Sequence, residues 1–145
     1  KNKDFIFQRD GVLQELGNTN IAYSPEVIIG NILTYSPTEV FQISLLSKYV
    51  GKQYMGNIDA ESSVLDAYSQ TDLNVQYELK CKGFLKSIVF SGLVNNLFDA
   101  EYESNGYFFT FDDDFSNPGT ITTIEGAGYY PQAGINFLLG ATVNF

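Results

Sequence analysis

The segment Ala133 to Phe145 alternates strictly in polarity. Ile135, Phe137, Leu139, Ala141, Val143 and Phe145 fall on one face of an extended strand. Asn136, Gly140, Thr142 and Asn144 fall on the other, with Leu138 the one large apolar residue among them. Strand side chains alternate between two faces, so a wholly apolar face at this spacing must meet a dry surface. The strand also stops on an aromatic residue with no polar tail. A soluble sandwich finishes in a turn or a frayed polar end, whereas an outer-membrane barrel closes on its last strand and sets aromatic residues at the membrane boundary. The pattern points to a membrane barrel.

Composition narrows the chemistry. The chain has 17 Asp plus Glu against 8 Lys plus Arg, a net charge of -9 and no basic stripe, which excludes nucleic acid as a partner. With no His and one cysteine, Cys81, most metal and nucleophile chemistry is excluded, and an enzyme is not expected. The hydrophobic fraction is 44%, yet no window approaches the ~18 consecutive apolar residues of a transmembrane helix. Contact with lipid therefore falls to strands. The N-terminus, Lys1-Asn2-Lys3-Asp4, is neither an initiator Met nor a signal peptide, so the chain reads as a mature product, an expressed portion or a piece of something longer.

Periodicity reads as nearly all β. At Asp72 to Lys80, Leu73, Val75, Tyr77 and Leu79 take one face, and Asp72, Asn74, Gln76, Glu78 and Lys80 the other. Val40 to Gly51 opposes Phe41, Ile43, Leu45 and Tyr49 to Gln42, Ser44 and Lys48, with Leu46 the exception. Val27 to Tyr35 and Lys86 to Asn95 are strands with apolar residues on both faces, as expected where barrel strands also touch an internal plug. Ser36-Pro37-Thr38 and Cys81-Lys82-Gly83 read as tight turns. Lys52 to Ala67 and Phe98 to Pro131 read as long loops. Alternating short and long connections put the turns at one rim of an up-and-down antiparallel barrel and the loops at the other, the periplasmic and extracellular sides of an outer-membrane protein. Five strands cannot close such a barrel, since the smallest need about eight. The expected fold is an all-β, antiparallel up-and-down transmembrane β-barrel of which this chain is the C-terminal part, unless Lys3 to Phe7 and Tyr107 to Phe111 add further strands.

Specific strings carry a family resemblance. Tyr35-Ser36-Pro37, Leu46 to Tyr54 (LSKYVGKQY), Tyr68 to Leu73 (YSQTDL), Val94 to Tyr102 (VNNLFDAEY) and Tyr130 to Gly134 (YPQAG) stand in order before the terminal strand. Together they resemble the C-terminal barrel of TonB-dependent outer-membrane receptors, in the manner of the Bacteroidetes members. The resemblance covers about Ser24 to Phe145. It implies a barrel of about 22 strands with an N-terminal plug, import of a scarce nutrient, a ferric siderophore or related metal complex ahead of an oligosaccharide or vitamin, and energy delivered through the TonB protein. Neither the plug nor the TonB-gripped segment lies in these 145 residues. Many relatives place Arg directly after the Gly matching Gly134, whereas Ile135 follows here.

The resemblance assigns Phe137, Val143 and Phe145 to the signal read by the barrel-insertion machinery, beside their plainer role as lipid-facing side chains. Leu73, Val75, Tyr77, Leu79, Ile135 and Leu139 are expected to face lipid. Tyr49, Tyr54, Tyr68, Tyr77 and Tyr102 suit either ligand contact or the aromatic girdles of a membrane barrel. Long loops on a rigid rim carry function, so Tyr54, Tyr102, Tyr107, Phe108, Phe109, Asp112, Asp113 and Asp114 form the candidate ligand-contact set. Their rings suit stacking on a carbohydrate or organic iron complex, and the plainer reading is a solvated loop hairpin. Neither a cofactor nor a bound metal is expected, because the Asp run lacks a Gly-turned ligand loop. A small autonomous barrel with an adhesive role and a soluble all-β binding module are the rival classes.

Overall fold

A computed structural model describes all 145 residues. Eleven strands follow one another: β1 Asn2–Arg9, β2 Val12–Thr19, β3 Ile28–Thr38, β4 Phe41–Val50, β5 Gln53–Tyr54, β6 Val64–Leu65, β7 Tyr68–Lys80, β8 Ser87–Asn95, β9 Glu103–Asp113, β10 Thr122–Pro131 and β11 Asn136–Asn144. A single 3₁₀ turn, Glu61–Ser63, precedes β6. The chain divides into two compact units, Lys1–Val27 with Gly51–Tyr68 and Tyr102–Gln132, and Ile28–Val50 with Ser69–Glu101 and Ala133–Phe145.

The second unit is one five-stranded sheet in the order β11-β8-β7-β4-β3. Each strand neighbours the next sheet strand in the chain, so the sheet is an antiparallel meander. β3–β4, β7–β8 and β8–β11 have antiparallel registers. Between β4 and β7 the Glu78 N–H donates to the Val40 carbonyl at 2.7 Å, and the Ser47 and Thr71 hydroxyls meet at 3.0 Å. The sheet is open, with β3 and β11 as edges.

Register sorts the side chains into cross-strand rows. Leu73–Val94–Phe137, Val75–Gly92–Leu139, Tyr77–Phe90–Ala141 and Leu79–Ile88–Val143 are four wholly apolar rows on one face. The Ser47–Thr71 contact places Ile43, Leu45 and Tyr49 of β4 on that face, and pairing adds Tyr35, Leu33 and Ile29 of β3. The intervening rows are Gln76–Ser91–Gly140, Glu78–Val89–Thr142 and Lys80–Ser87–Asn144, with Asn74–Leu93–Leu138 the one that carries two leucines. The apolar face is uncovered: Leu139 is 81% exposed and Phe137 74%. Val50 is the sheet unit's one fully buried apolar side chain.

Connections alternate as expected. β3 to β4 and β7 to β8 are short, and the links from β4 to β7 and from β8 to β11 leave the opposite end of the sheet. Two details differ from the sequence reading. Ser36-Pro37 is not the turn: β3 runs to Thr38, the turn falls on Glu39 and Val40, and the register shifts between Tyr35 and Thr38. Proline lacks an N–H, and an edge strand with a bulge tolerates that. β7 also begins at Tyr68, four residues before the alternation becomes clear.

In the first unit Lys3 to Phe7 and Tyr107 to Phe111 do lie in added strands, and the connections Lys52 to Ala67 and Phe98 to Pro131, read as loops, contain strands. β1 and β2 form one antiparallel hairpin, β9 and β10 another, and β5 pairs with β6. Met55 and Leu65, 4% and 1% exposed, are its buried apolar side chains.

Candidate functional site

Most of the candidate contact residues lie on or beside the β9–β10 hairpin, whose register gives its two faces different roles. Asp112 opposes Thr123, Thr110 opposes Glu125, Phe108 opposes Ala127 and Gly106 opposes Tyr129. This face is anchored within its own unit. Arg9 pairs with Glu125, the Gln8 amide donates to Asp112 at 3.1 Å, and Asp10 and Thr123 exchange two hydrogen bonds. The Tyr129 hydroxyl donates to the Ser62 carbonyl, and Phe108 lies so close to Gly56 that a Cβ there would come within 2.6 Å of its ring.

On the other face Phe111 opposes Ile124, Phe109 opposes Gly126, Tyr107 opposes Gly128 and Asn105 opposes Tyr130. Phe109 covers Gly126, and Tyr107 covers Gly128, closely enough that a Cβ on either glycine would collide with the ring. A glycine opposite an aromatic residue lets the ring lie down over the bare backbone. Successive rings along β9 are near-parallel, Tyr107 to Phe109 at 6.3 Å and 16° and Phe109 to Phe111 at 6.4 Å and 16°, while Tyr130 is tilted against Tyr107 at 6.1 Å and 51°. Each of the four is about half exposed.

The expected set is therefore divided. Tyr107 and Phe109 share the free face, but Phe108 points the other way. The three aspartates do not converge. Asp112 accepts from Gln8 and from the Thr123 hydroxyl, and Asp113 accepts from the Phe115 and Ser116 N–H groups, closing the turn beyond β9. Asp114 is exposed in that turn. The Ser116 backbone N–H, then the Ser116 hydroxyl, hold the Asp113 carboxyl below its ordinary pKa of 3.8, against a small opposing effect of burial and with help from the Phe115 N–H. No three His, Cys, Asp or Glu side chains gather in a metal-holding group. Tyr102 stacks on Tyr68 at 4.2 Å and 15°, and Tyr54 carries the Lys52 ammonium 5.1 Å from its ring centre. Neither belongs to the aromatic row.

Sequence reasoning missed the residues that order the loop end of the sheet. Asn96, 2% exposed with φ +51°, follows β8. Its side-chain amide donates to the Ala100 and Ala133 carbonyls, its oxygen accepts from the Ala100 N–H, and its own N–H donates to Asp72. Asp99, also left-handed at φ +51°, accepts from the Ile135 N–H at 2.7 Å and lies against Gly134, where a Cβ would stand 2.6 Å from its oxygen. The strings around Asn95-Asn96-Leu97-Phe98-Asp99 and Gln132-Ala133-Gly134 are thus one joint. Asn and Asp tolerate the left-handed region and bond locally, and that chemistry was the available signal.

At the other end, Phe145 lies beyond β11 with its ring 5.3 Å from that of Phe84. Phe137, Leu139 and Val143 lie on the apolar face with Leu73, Val75, Tyr77 and Leu79, and Ile135 is exposed just before β11. Comparison with protein families, curated proteins and solved structures finds no match to the chain.

Proposed function

We propose that the five-stranded sheet is wall of an outer-membrane β-barrel and that the barrel is a nutrient-import receptor of the TonB-dependent kind. The observation that carries the membrane part is the face of four all-apolar rows left uncovered, on a chain whose buried apolar side chains are Val50, Met55 and Leu65. A water-soluble domain of this size owes its stability to a core of many such side chains. A sheet whose dry face is covered by lipid needs none on that side. Supporting it are strand lengths of 9 to 13 residues in the sheet, set against the ~9–11 of a tilted spanning strand.

Open edges cannot stand in lipid, because their unpaired N–H and C=O groups would lack partners. On this reading β3 and β11 pair with strands outside the five, which also suits the family's larger barrel. Ile28, Ile32 and Leu46, exposed together on the face opposite the apolar rows, are where a plug domain would rest. The long connections then face the cell exterior and the short turns the periplasm. The insertion machinery would read Phe137, Val143 and Phe145.

The importer part rests on the resemblance, and a ferric siderophore or related metal complex is the proposed cargo. The unit built from the long connections carries twelve Asp and Glu against four Lys and Arg, the sheet unit five against four. That asymmetry favours neutral or cationic complexes over anionic ones. The test is fractionation of the cells that make the protein. Sedimentation with the outer membrane through carbonate washing, with a mobility in detergent gels that shifts on boiling, is expected. Recovery as a soluble monomer without detergent would overturn the reading.

A further inference from the structure

The β9–β10 hairpin keeps one face free, and its chemistry is of one kind. Phe109 and Tyr107 each lie with one side on a glycine, and each is 49% exposed, so the other side of each ring faces solvent. With Phe111 they make a row of near-parallel rings stepping 6.3 and 6.4 Å. Ring faces carry the negative lobe of the aromatic quadrupole and attract cations within about 6 Å of the centroid.

The hairpin itself carries no positive charge. Tyr102 to Gln132 holds five carboxylates and not one Lys or Arg. Two of the five, Asp112 and Glu125, are engaged on the anchored face, and Asp113 closes the turn beyond β9. Nearby in the same unit the chain uses the same pairing itself, with Arg9 6.0 Å from the Phe7 ring centre and Lys52 5.1 Å from that of Tyr54.

Spacing identifies the form of the partner. An extended peptide places every second side chain on one side, about 6.6 Å apart, and this matches the ring steps because the rings themselves sit on alternate positions of a strand. A flat neutral ligand would match the rings but would leave the net negative charge of the unit, twelve Asp and Glu against four Lys and Arg, without a role. We infer that the free face of the β9–β10 hairpin, the row Tyr107, Phe109 and Phe111, binds an extended basic peptide segment bearing Arg or Lys at alternate positions, each cation over one ring. The inference does not depend on the membrane reading, since it uses only contacts within the unit that holds the hairpin.

The test is fluorescence anisotropy with the intact protein in detergent and a Thr-Arg-Thr-Arg-Thr-Arg-Thr peptide carrying a neutral fluorophore. Saturable binding is expected that weakens at least fivefold between about 50 and 300 mM salt, as screening requires. Phe109→Leu keeps apolar bulk over Gly126 but removes the ring, and should weaken binding at least fivefold. Phe109→Trp offers a better cation face and should bind as tightly or more so. No saturable binding, or a Phe109→Leu protein that binds like wild type, would overturn the inference. So would displacement of the peptide by a neutral hexasaccharide, which would assign the rings to a glycan.

Discussion

The Asn96 N–H donates to the Asp72 carboxylate at 2.9 Å, tying the end of β8 to the start of the central part of β7. The Asn96 side chain meanwhile makes three further bonds, to both polar groups of Ala100 and to the Ala133 carbonyl. One residue thus fixes where the chain leaves the sheet after β8 and where it returns before β11. Its left-handed backbone excludes most replacements at little cost to Asn itself.

Replacing Asn96 separates these effects. Asn96→Gly keeps the backbone conformation and loses the side-chain bonds, at about 2–3 kcal/mol by the usual net worth of three buried hydrogen bonds. Asn96→Ala adds about 1 kcal/mol for the left-handed backbone. Urea midpoints of the two variants check the order, with Gly expected to be the milder change.

The facing of the sheet gives a second prediction. Arg at Val75 or Leu139 should lower the inserted fraction, by roughly 2–4 kcal/mol near the bilayer midplane, whereas Arg at the adjacent Gln76 should be tolerated. Quantifying the heat-shifted band in outer-membrane preparations measures it. Equal tolerance at positions 75 and 76 would contradict the assignment of faces.

These two predictions draw on different depths of information. The apolar face was legible because Leu73, Val75, Tyr77 and Leu79 alternate without exception against charged and amide residues. Ile135 to Phe145 alternates likewise apart from Leu138. Of the β9–β10 hairpin the first strand was legible at Tyr107 to Phe111 but the second was not, because Gly126 and Gly128 stand where a strand normally shows large apolar residues. Their partners Phe109 and Tyr107 supply that bulk from across the hairpin, and a single strand's pattern does not contain it. Pro37 misled for a related reason: proline signals a turn locally, and the register shift between Tyr35 and Thr38 makes it acceptable in a strand. The joint of Asn96, Asp99 and Gly134 is non-local, so its residue types could be quoted as a string but their contacts could not be read from it. The candidate site was half legible. The rings were picked out, but the split between Phe108 and its neighbours needed the strand direction.

Glycine rows carry a third prediction. Gly126→Val would drive its side chain into the Phe109 ring. The ring must lift, at a cost of about 1–3 kcal/mol as for other overpacked sites. Gly128→Ala acts in the same way on Tyr107, and should weaken the tyrosine near-ultraviolet circular dichroism. An unchanged spectrum in Gly128→Ala would contradict the packing of that ring.

Acid should open the turn beyond β9. The Asp113 carboxylate is held below its ordinary pKa by the Ser116 N–H and hydroxyl and the Phe115 N–H, so the bonds it accepts stabilise the turn at pH above the unfolded value of 3.8. That contribution is lost as pH falls through the lowered folded value. Hydrogen exchange at the Phe115 and Ser116 amides, corrected for intrinsic rates, should lose protection over that interval. Asp113→Asn should remove the pH dependence.

The central claim is that odd-numbered residues of β7 face lipid. Spin labels placed one at a time at positions 73 to 78, in a Cys81→Ser background and in the membrane-inserted protein, report it through accessibility to oxygen against a water-soluble nickel chelate. The account predicts a period of two, with positions 73, 75 and 77 favouring oxygen and 74, 76 and 78 favouring the chelate. A uniform profile, or one with the even positions in lipid, would contradict it.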